Sequence, residues 1–261
     1  MKAYELMEHL YGKSGQKLTQ TCDTIKIGDA ECEIKKVAVC CLATVDVIKQ
    51  AAAWGADLLI THEPTFYDHM DNKNDKDAVV AKKWKILSES GITLYRFHDH
   101  AHRIVPDMIG EGEFKYLGID GEYKPTGEVA VNRFVCKEPI TPLELAKQIE
   151  TRLGVKHIRI CGNRDIPITK ISACFGTPGG VFDELMSDDI ELVLSGEACE
   201  WMLGEYARDA AQLGMAKTLI IMGHIGSERD GMRHCADYLK DNFTDFETMY
   251  IECGEVYSYT D

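Results

Sequence analysis

Ala56-Asp57-Leu58-Leu59-Ile60-Thr61-His62-Glu63-Pro64 decides how this chain is read. Leu58 to Ile60 is a short, near-continuous apolar run without alternation, the pattern of a strand covered on both faces in a parallel sheet. It ends abruptly in a polar turn marked by Pro64. Upstream, Val45 to Trp54 carries Val47, Ile48, Ala51 and Ala52 at helical spacing, and Gly55 stops it. Before that helix lies another apolar strand, Val37 to Leu42. The unit is strand–helix–strand, which packs as a right-handed crossover.

The scheme recurs. A helix over Ala78 to Ser90, with Asp75 as N-cap and Gly91 at its end, precedes the strand Ile92 to Phe97. That strand runs into His98-Asp99-His100-Ala101-His102. Near the other end of the chain, the strand Ile190 to Leu194 and a helix over Glu200 to Leu213, closed by Gly214, lead to the strand Thr218 to Gly223. His224 and Glu228 follow it. The middle reads differently: a strand over Glu128 to Cys136, then Thr141-Pro142-Leu143-Glu144, a capping box with proline at the first helical position. Two short strands follow, His157 to Cys161 and Ile168 to Phe175, then the Gly176 to Gly180 turn. The expected class is α/β. Two α/β halves with mostly parallel strands (1–126 and 191–261) form one domain, and 127–190 is an inserted α+β unit. The polar Asp68 to Asp77 stretch reads as a mobile loop.

Composition narrows the function classes. At 261 residues, 45% hydrophobic and 28% charged, the chain is long enough for a sizeable core and is not disordered. With 29 basic against 43 acidic residues the net charge is −14. A nucleic-acid backbone would be repelled, so no extensive nucleic-acid interface is expected. The longest apolar stretch, Val37 to Val45, is far shorter than the roughly 20 residues of a membrane span. No signal peptide is visible in Met1 to Leu10, so no membrane partner is expected. The ten cysteines form no Cys-x-x-Cys pair, and Cys40, Cys41 and Cys174 sit in apolar runs as buried thiols do. The expected compartment is reducing cytosol.

Three histidine-bearing turns follow predicted parallel strands, at the edge where open α/β sheets place their sites. If the three strands share one sheet, His62, Glu63, His98, His102, His224 and Glu228 converge. Imidazole and carboxylate form an N/O donor set suited to zinc, iron, manganese, cobalt or nickel. No cysteine lies at these positions, which argues against a structural thiolate site. Six donors exceed what one tetrahedral ion needs, so two divalent ions sharing a carboxylate are expected, with water as the nucleophile they generate. His224 and Glu228 are spaced i, i+4, so one helical turn would put them on one face. Glu228 and Glu197, the latter just after a strand end, are the candidate catalytic groups. Asp99 and His100 are candidates to orient a ligand ring.

The run Ala53-Trp54-Gly55-Ala56-Asp57-Leu58-Leu59-Ile60-Thr61-His62-Glu63-Pro64 resembles the "gadlli-x-HHP" signature of the Nif-three-like family, whose members are named as GTP cyclohydrolase I type 2 homologues. Ser195-Gly196-Glu197 and Gly223-His224 through Glu228 resemble its "tGe" and "gH-x-x-x-E" signatures. Phe97-His98 through His102 stands where the family carries "tHtnlD". The resemblance implies a two-domain α/β protein with a dinuclear metal centre, assembled as a toroidal homohexamer. The family's ligands fall on His62, His224 and Glu228. Glu63 stands where the family has a second His, and His102 where it has Asp, so the N/O count is preserved with altered metal preference. The family name implies opening of a purine ring by metal-activated water, an analogy at the level of the fold.

Other motifs fail on spacing. Gly12-Lys13-Ser14 would end a P-loop only with glycine at Met7, and Gly110-Glu111-Gly112 needs glycine where Lys115 stands. The Gly176 to Gly180 turn reads as a plain loop, and Cys199 and Cys235 as packing residues. The function expected is a metal-dependent hydrolase acting on a small, nucleotide-like or phosphorylated substrate. The alternative is a non-catalytic metal-binding oligomer serving as metal chaperone, sensor or interaction scaffold.

Overall fold

The computed structural model describes every residue except Lys17, Pro178 and Asp261. The chain forms two compact units, 1–108 with 231–261, and 109–230. In the first, α1 (Ala3–Lys13), β1 (Ile25–Ile27), β2 (Lys36–Cys40), α2 (Val45–Trp54), β3 (Leu58–Thr61), α3 (Ala78–Ser90) and β4 (Thr93–Arg96) follow in order, and the strand Glu247–Tyr250 closes the unit. The sheet order is β1-β4-β3-β2 and then Glu247–Tyr250. Every pairing is parallel except β1 with β4. All residues of β3 and β4 are buried, as a strand covered on both faces requires.

Local chemistry accounts for the crossovers. Thr44 caps α2 by accepting from Val47 N, and Val47, Ile48 and Ala51 face the core with Ala38, Leu59, Leu87 and Leu94. Asp77, not Asp75, caps α3, its carboxylate accepting from Val79 N and Val80 N. The reason is position: Asp77 immediately precedes the first helical residue, where a short side chain reaches those amides. The stretch read as a mobile loop is pinned. The Asp71 carboxylate is buried 3.6 Å from Arg96 and accepts from Phe66 N, while Asp68 accepts from Met70 N and Asn72 N.

The second unit contains α4 (Met108–Leu117, from its second residue), β5 (Gly121–Pro125), β6 (Asn132–Ile140), α5 (Pro142–Arg152), β7 (Arg159–Gly162), β8 (Ile168–Cys174), α6 (Val181–Met186), β9 (Leu192–Ser195), α7 (Glu205–Gln212) and β10 (Thr218–Ile221). A π-helical turn, Glu200–Gly204, leads into α7, and α8 (Arg229–Asn242) begins as the unit ends. The strand order is β5-β6-β8-β9-β10-β7, with β8, β9 and β10 mutually parallel and the rest antiparallel. The Thr141–Glu144 capping box forms as read, with both of its hydrogen bonds.

The α/β class stands, with a mostly parallel first sheet and a mixed second sheet built on three parallel strands, but two expectations need correction. The three His-bearing strands do not share one sheet: β3 and β4 lie in the first and β10 in the second. Nor does the chain divide at 126 and 190, because β6 and β8 from the middle segment pair in one sheet with β9 and β10 beyond it. Strand β8 finds its parallel neighbour in β9 through a crossover that carries α6, and β9 finds β10 through one that carries α7. Consecutive strands usually pair, and they do so here across the expected boundary. The strand expected from Glu128 starts only at Asn132. Ala130 sits at φ 58°, which turns the chain just before the ladder.

Candidate metal centre

At the end of β3 the amides of His62 and Glu63 both donate to Cys41 O, 3.0 and 2.8 Å away, and Thr61 Oγ1 accepts from Ala43 N. The turn is thereby tied to the end of β2. His62 is fully buried, with Nδ1 3.0 Å from Phe97 O. From β4, the buried Arg96 donates through Nε to His62 O at 2.9 Å and through its guanidinium to His69 O. The turn after β4 is organised by Asp23, a residue the sequence reading passed over. Its buried carboxylate accepts from the amides of His98, Asp99 and His100 at 2.7, 2.9 and 2.8 Å and pairs with His100 Nδ1 at 2.7 Å.

That scaffold brings three histidines together. One ring nitrogen from each of His62, His98 and His102 lies within 4.8 Å of the others. The His62 ring centroid is 4.5 Å from that of His98 and 5.0 Å from that of His102. Each Nδ1 is committed to an oxygen: His62 to Phe97 O, His98 to Asp99 Oδ1 at 3.0 Å, and His102 to Asp107 Oδ2 at 3.0 Å. With Nδ1 held by an oxygen, each ring turns Nε2 away from that partner, the orientation found in ligating histidines. Glu63 Oε1 is 4.0 Å from His62 Nε2 and 3.8 Å from His98 Nε2.

Electrostatics favour the same role. Burial, with the neighbouring His98 and His102, pushes the His62 pKa well below its ordinary value, so the ring is neutral at pH 7. Burial would raise the Asp99 carboxyl, but hydrogen bonds from the His98 ring, Thr21 Oγ1 and Cys22 N outweigh it and hold the group far below the usual carboxylate range. A neutral His62 ring, with an ionised Asp99 orienting its neighbour His98, could help to hold a divalent cation.

The second unit has its own cluster. The loops after β8, β9 and β10 interlock: Glu197 N donates to Gly176 O, Gly223 N to Gly196 O, and Gly176 N to Ser227 Oγ, each at 2.9 Å. His224 and Glu228 flank a short 3₁₀ turn, Ile225–Ser227, with His224 Nε2 3.3 Å from Glu228 Oε2. His224 Nδ1 is 2.8 Å from Glu197 Oε1 and 3.0 Å from Thr177 Oγ1. Glu228 is buried and Glu197 exposed. Gly176 makes room for the carboxylate. A Cβ there would meet Glu228 Oε1 at 2.1 Å, and the residue's φ of +68° suits glycine. Gly176 to Gly180, a plain loop by its sequence, thus contributes to this cluster through Gly176 and Thr177; its Pro178 lies outside the described residues.

The expected residues therefore fall in two groups, His62, Glu63, His98 and His102 in the first unit and Glu197, His224 and Glu228 in the second. Asp99 does meet a histidine ring, whereas His100 is a buried partner of Asp23. Asp107, Thr177 and Gly176 went unrecognised. Asp107 stands five residues beyond His102, and a carboxylate at that distance from a histidine was a usable signal. All ten cysteines are free thiols, and Cys40, Cys41 and Cys174 are buried as expected. Among the described residues, no helix is long and apolar enough to cross a membrane.

Known proteins are similar to this chain in sequence or in fold. The protein "GTP cyclohydrolase 1 type 2 homolog" of Clostridium perfringens is 26% identical over 209 residues, covering 78% of this chain and 77% of its own. The protein of the same name from Escherichia coli K12 is 26% identical over 231 residues, 84% of each chain. The solved structure titled "protein ybgI, unknown function" has the same fold, with a TM-score of 0.78 at 23% identity over 98% of this chain and 99% of that one. With the family description matching residues 1–255, the chain belongs to the Duf34/NIF3 (NGG1p interacting factor 3) family.

Proposed function

We propose that the chain is a metal-dependent hydrolase of a small, nucleotide-like or phosphorylated substrate, working through a dinuclear centre of divalent ions. The proposed ligands are His62, Glu63, His98, His102, His224 and Glu228, with Glu228 as the shared carboxylate. The observation that carries the reading is the trio of His62, His98 and His102, each with Nδ1 held by an oxygen and one nitrogen of each within 4.8 Å of the others. Bound zinc, iron, manganese, cobalt or nickel would make water nucleophilic at neutral pH and polarise an oxygen of the substrate.

The chain's own residues do the rest. Phe97 O, Asp99 and Asp107 hold three rings in the orientation that presents Nε2. Glu197 fixes His224 through Nδ1 and, being exposed, is able to take up a proton released during hydrolysis. Glu63 and His102 together preserve the donor count of the family signature. The cationic centre would draw an anionic substrate that the −14 chain otherwise repels. Assembly as a homohexamer and a cytoplasmic location belong to the same proposal.

The test is elemental analysis of untagged protein, with His62→Ala and Glu228→Ala alongside. Both variants should stay folded and lose metal. Chelated protein reloaded with each of the five metals is then assayed for phosphoester, amide and nucleotide hydrolysis. Metal far below one equivalent sinks the proposal, and full metal without turnover on the whole panel sinks its hydrolase part.

A further inference from the structure

We propose a separate metal site in the first unit, formed by Cys22, His69 and Asp99, that takes a zinc- or ferrous-class cation through a sulfur, a nitrogen and an oxygen. One donor atom from each of these residues lies within 4.8 Å of the others. They come from three places in the sequence: the segment before β1, the loop after β3 and the turn after β4. None of the three belongs to the ligand set of the proposed hydrolytic centre.

Each donor is held by contacts of its own. Cys22 is buried, and its amide donates to Asp99 Oδ2 at 3.1 Å. Thr21 Oγ1 donates to the same oxygen at 2.7 Å. The Asp99 carboxylate also pairs through Oδ1 with His98 Nδ1 at 3.0 Å, so both of its oxygens are held in place beside the Cys22 thiol. His69 is exposed, its carbonyl is braced by the buried Arg96, and its ring meets the His98 ring edge-on at 5.5 Å between centroids. A backbone fixed by Arg96 limits where that imidazole can reach.

The donor chemistry differs from that of the histidine trio. A thiolate adds softness that an N/O set lacks and favours zinc or ferrous iron over magnesium or calcium. Three protein donors, with the histidine at the surface, leave a coordination position open to solvent or a small ligand. The Cys22 thiol now contacts Asp23 Oδ1 at 3.6 Å, and binding would release the thiol proton to solvent as the cation takes its place.

The test uses cobalt(II) on the full chain, untagged, reduced and stripped with chelator. The expected result is a thiolate-to-cobalt charge-transfer band in the near ultraviolet whose saturating intensity corresponds to a single thiolate-bound ion per chain. Cys22→Ser and His69→Ala should each abolish it, and His62→Ala should leave it in place. His69 is exposed, so its truncation spares the core even if the buried Cys22→Ser variant folds poorly. No band in the parent chain, or a band that survives His69→Ala, overturns the site. Failure of the hydrolase reading looks different, because it leaves the thiolate band intact.

Discussion

Gly176→Ala separates the cost of backbone conformation from the displacement of a single carboxylate. At φ +68° an alanine pays the left-handed penalty, about 1–2 kcal/mol. Its Cβ would also stand 2.1 Å from Glu228 Oε1, 2.8 Å from Glu228 Cδ and 3.3 Å from His224 Nε2. Ordinary contact begins at 3.4 Å, so the Glu228 carboxylate must retreat by roughly 1 Å. The obstacle is the end of a side chain, so the fold should survive while Glu228 yields. Gly91→Ala is the matched control, with φ +73° and nothing within 4 Å of the added Cβ. Both variants should lose about 1–2 kcal/mol, or roughly 2–8 °C in Tm. Only Gly176→Ala should also weaken metal binding, by about 10–100-fold or roughly 1.4–2.7 kcal/mol. The assay is competition against a chromophoric chelator, with melting curves on the same samples. Unchanged metal affinity in Gly176→Ala, or an equal loss in Gly91→Ala, refutes the argument.

Asp107→Asn should weaken metal binding about 10–100-fold with little change in Tm, because it takes the carboxylate acceptor from His102 Nδ1 while keeping the shape; chelator competition reads it. Asp23→Ala should destabilise the chain by about 3–5 kcal/mol, since three amides and the His100 ring lose a buried acceptor; urea unfolding measures this, and a loss below about 1 kcal/mol contradicts it. Lys83 gives a pH signature. Burial lowers its pKa to about 8, so the folded chain gives up this proton before the unfolded chain does, and its contribution to stability rises between pH 8 and 10.5. Lys83→Met removes that dependence. The stability of the parent relative to the variant should grow by up to about 3 kcal/mol from pH 7 to 10.5, and a constant difference in urea unfolding refutes it.

The local units were legible because their signals span only a few residues. The apolar runs of β2, β3 and β4, the Thr141–Glu144 capping box, and histidines directly after parallel strands are all read without knowing what packs where. Helices α1 and α8 were not read. Their sequences, Ala3–Lys13 and Arg229–Asn242, are polar over much of their length and lack the apolar runs on which the reading relied. The sequence could propose His62, His98, His102, His224 and Glu228 as donors, because residue type and position after a strand are local facts. It could not say which sheet receives each strand. That depends on ladder pairing between segments far apart in the chain, and β10 joins β9 and β7 instead of β3 and β4. Nor could it assign the groups that orient the donors. Asp23 reaches the turn at 98–100 from 75 residues upstream, and Gly176 leaves space for a carboxylate 52 residues downstream. Hydrophobic pattern and capping decide the elements, because they act within a turn or two. Only the folded chain decides which polar atoms meet, because a buried hydrogen bond depends on distance in space and not along the sequence.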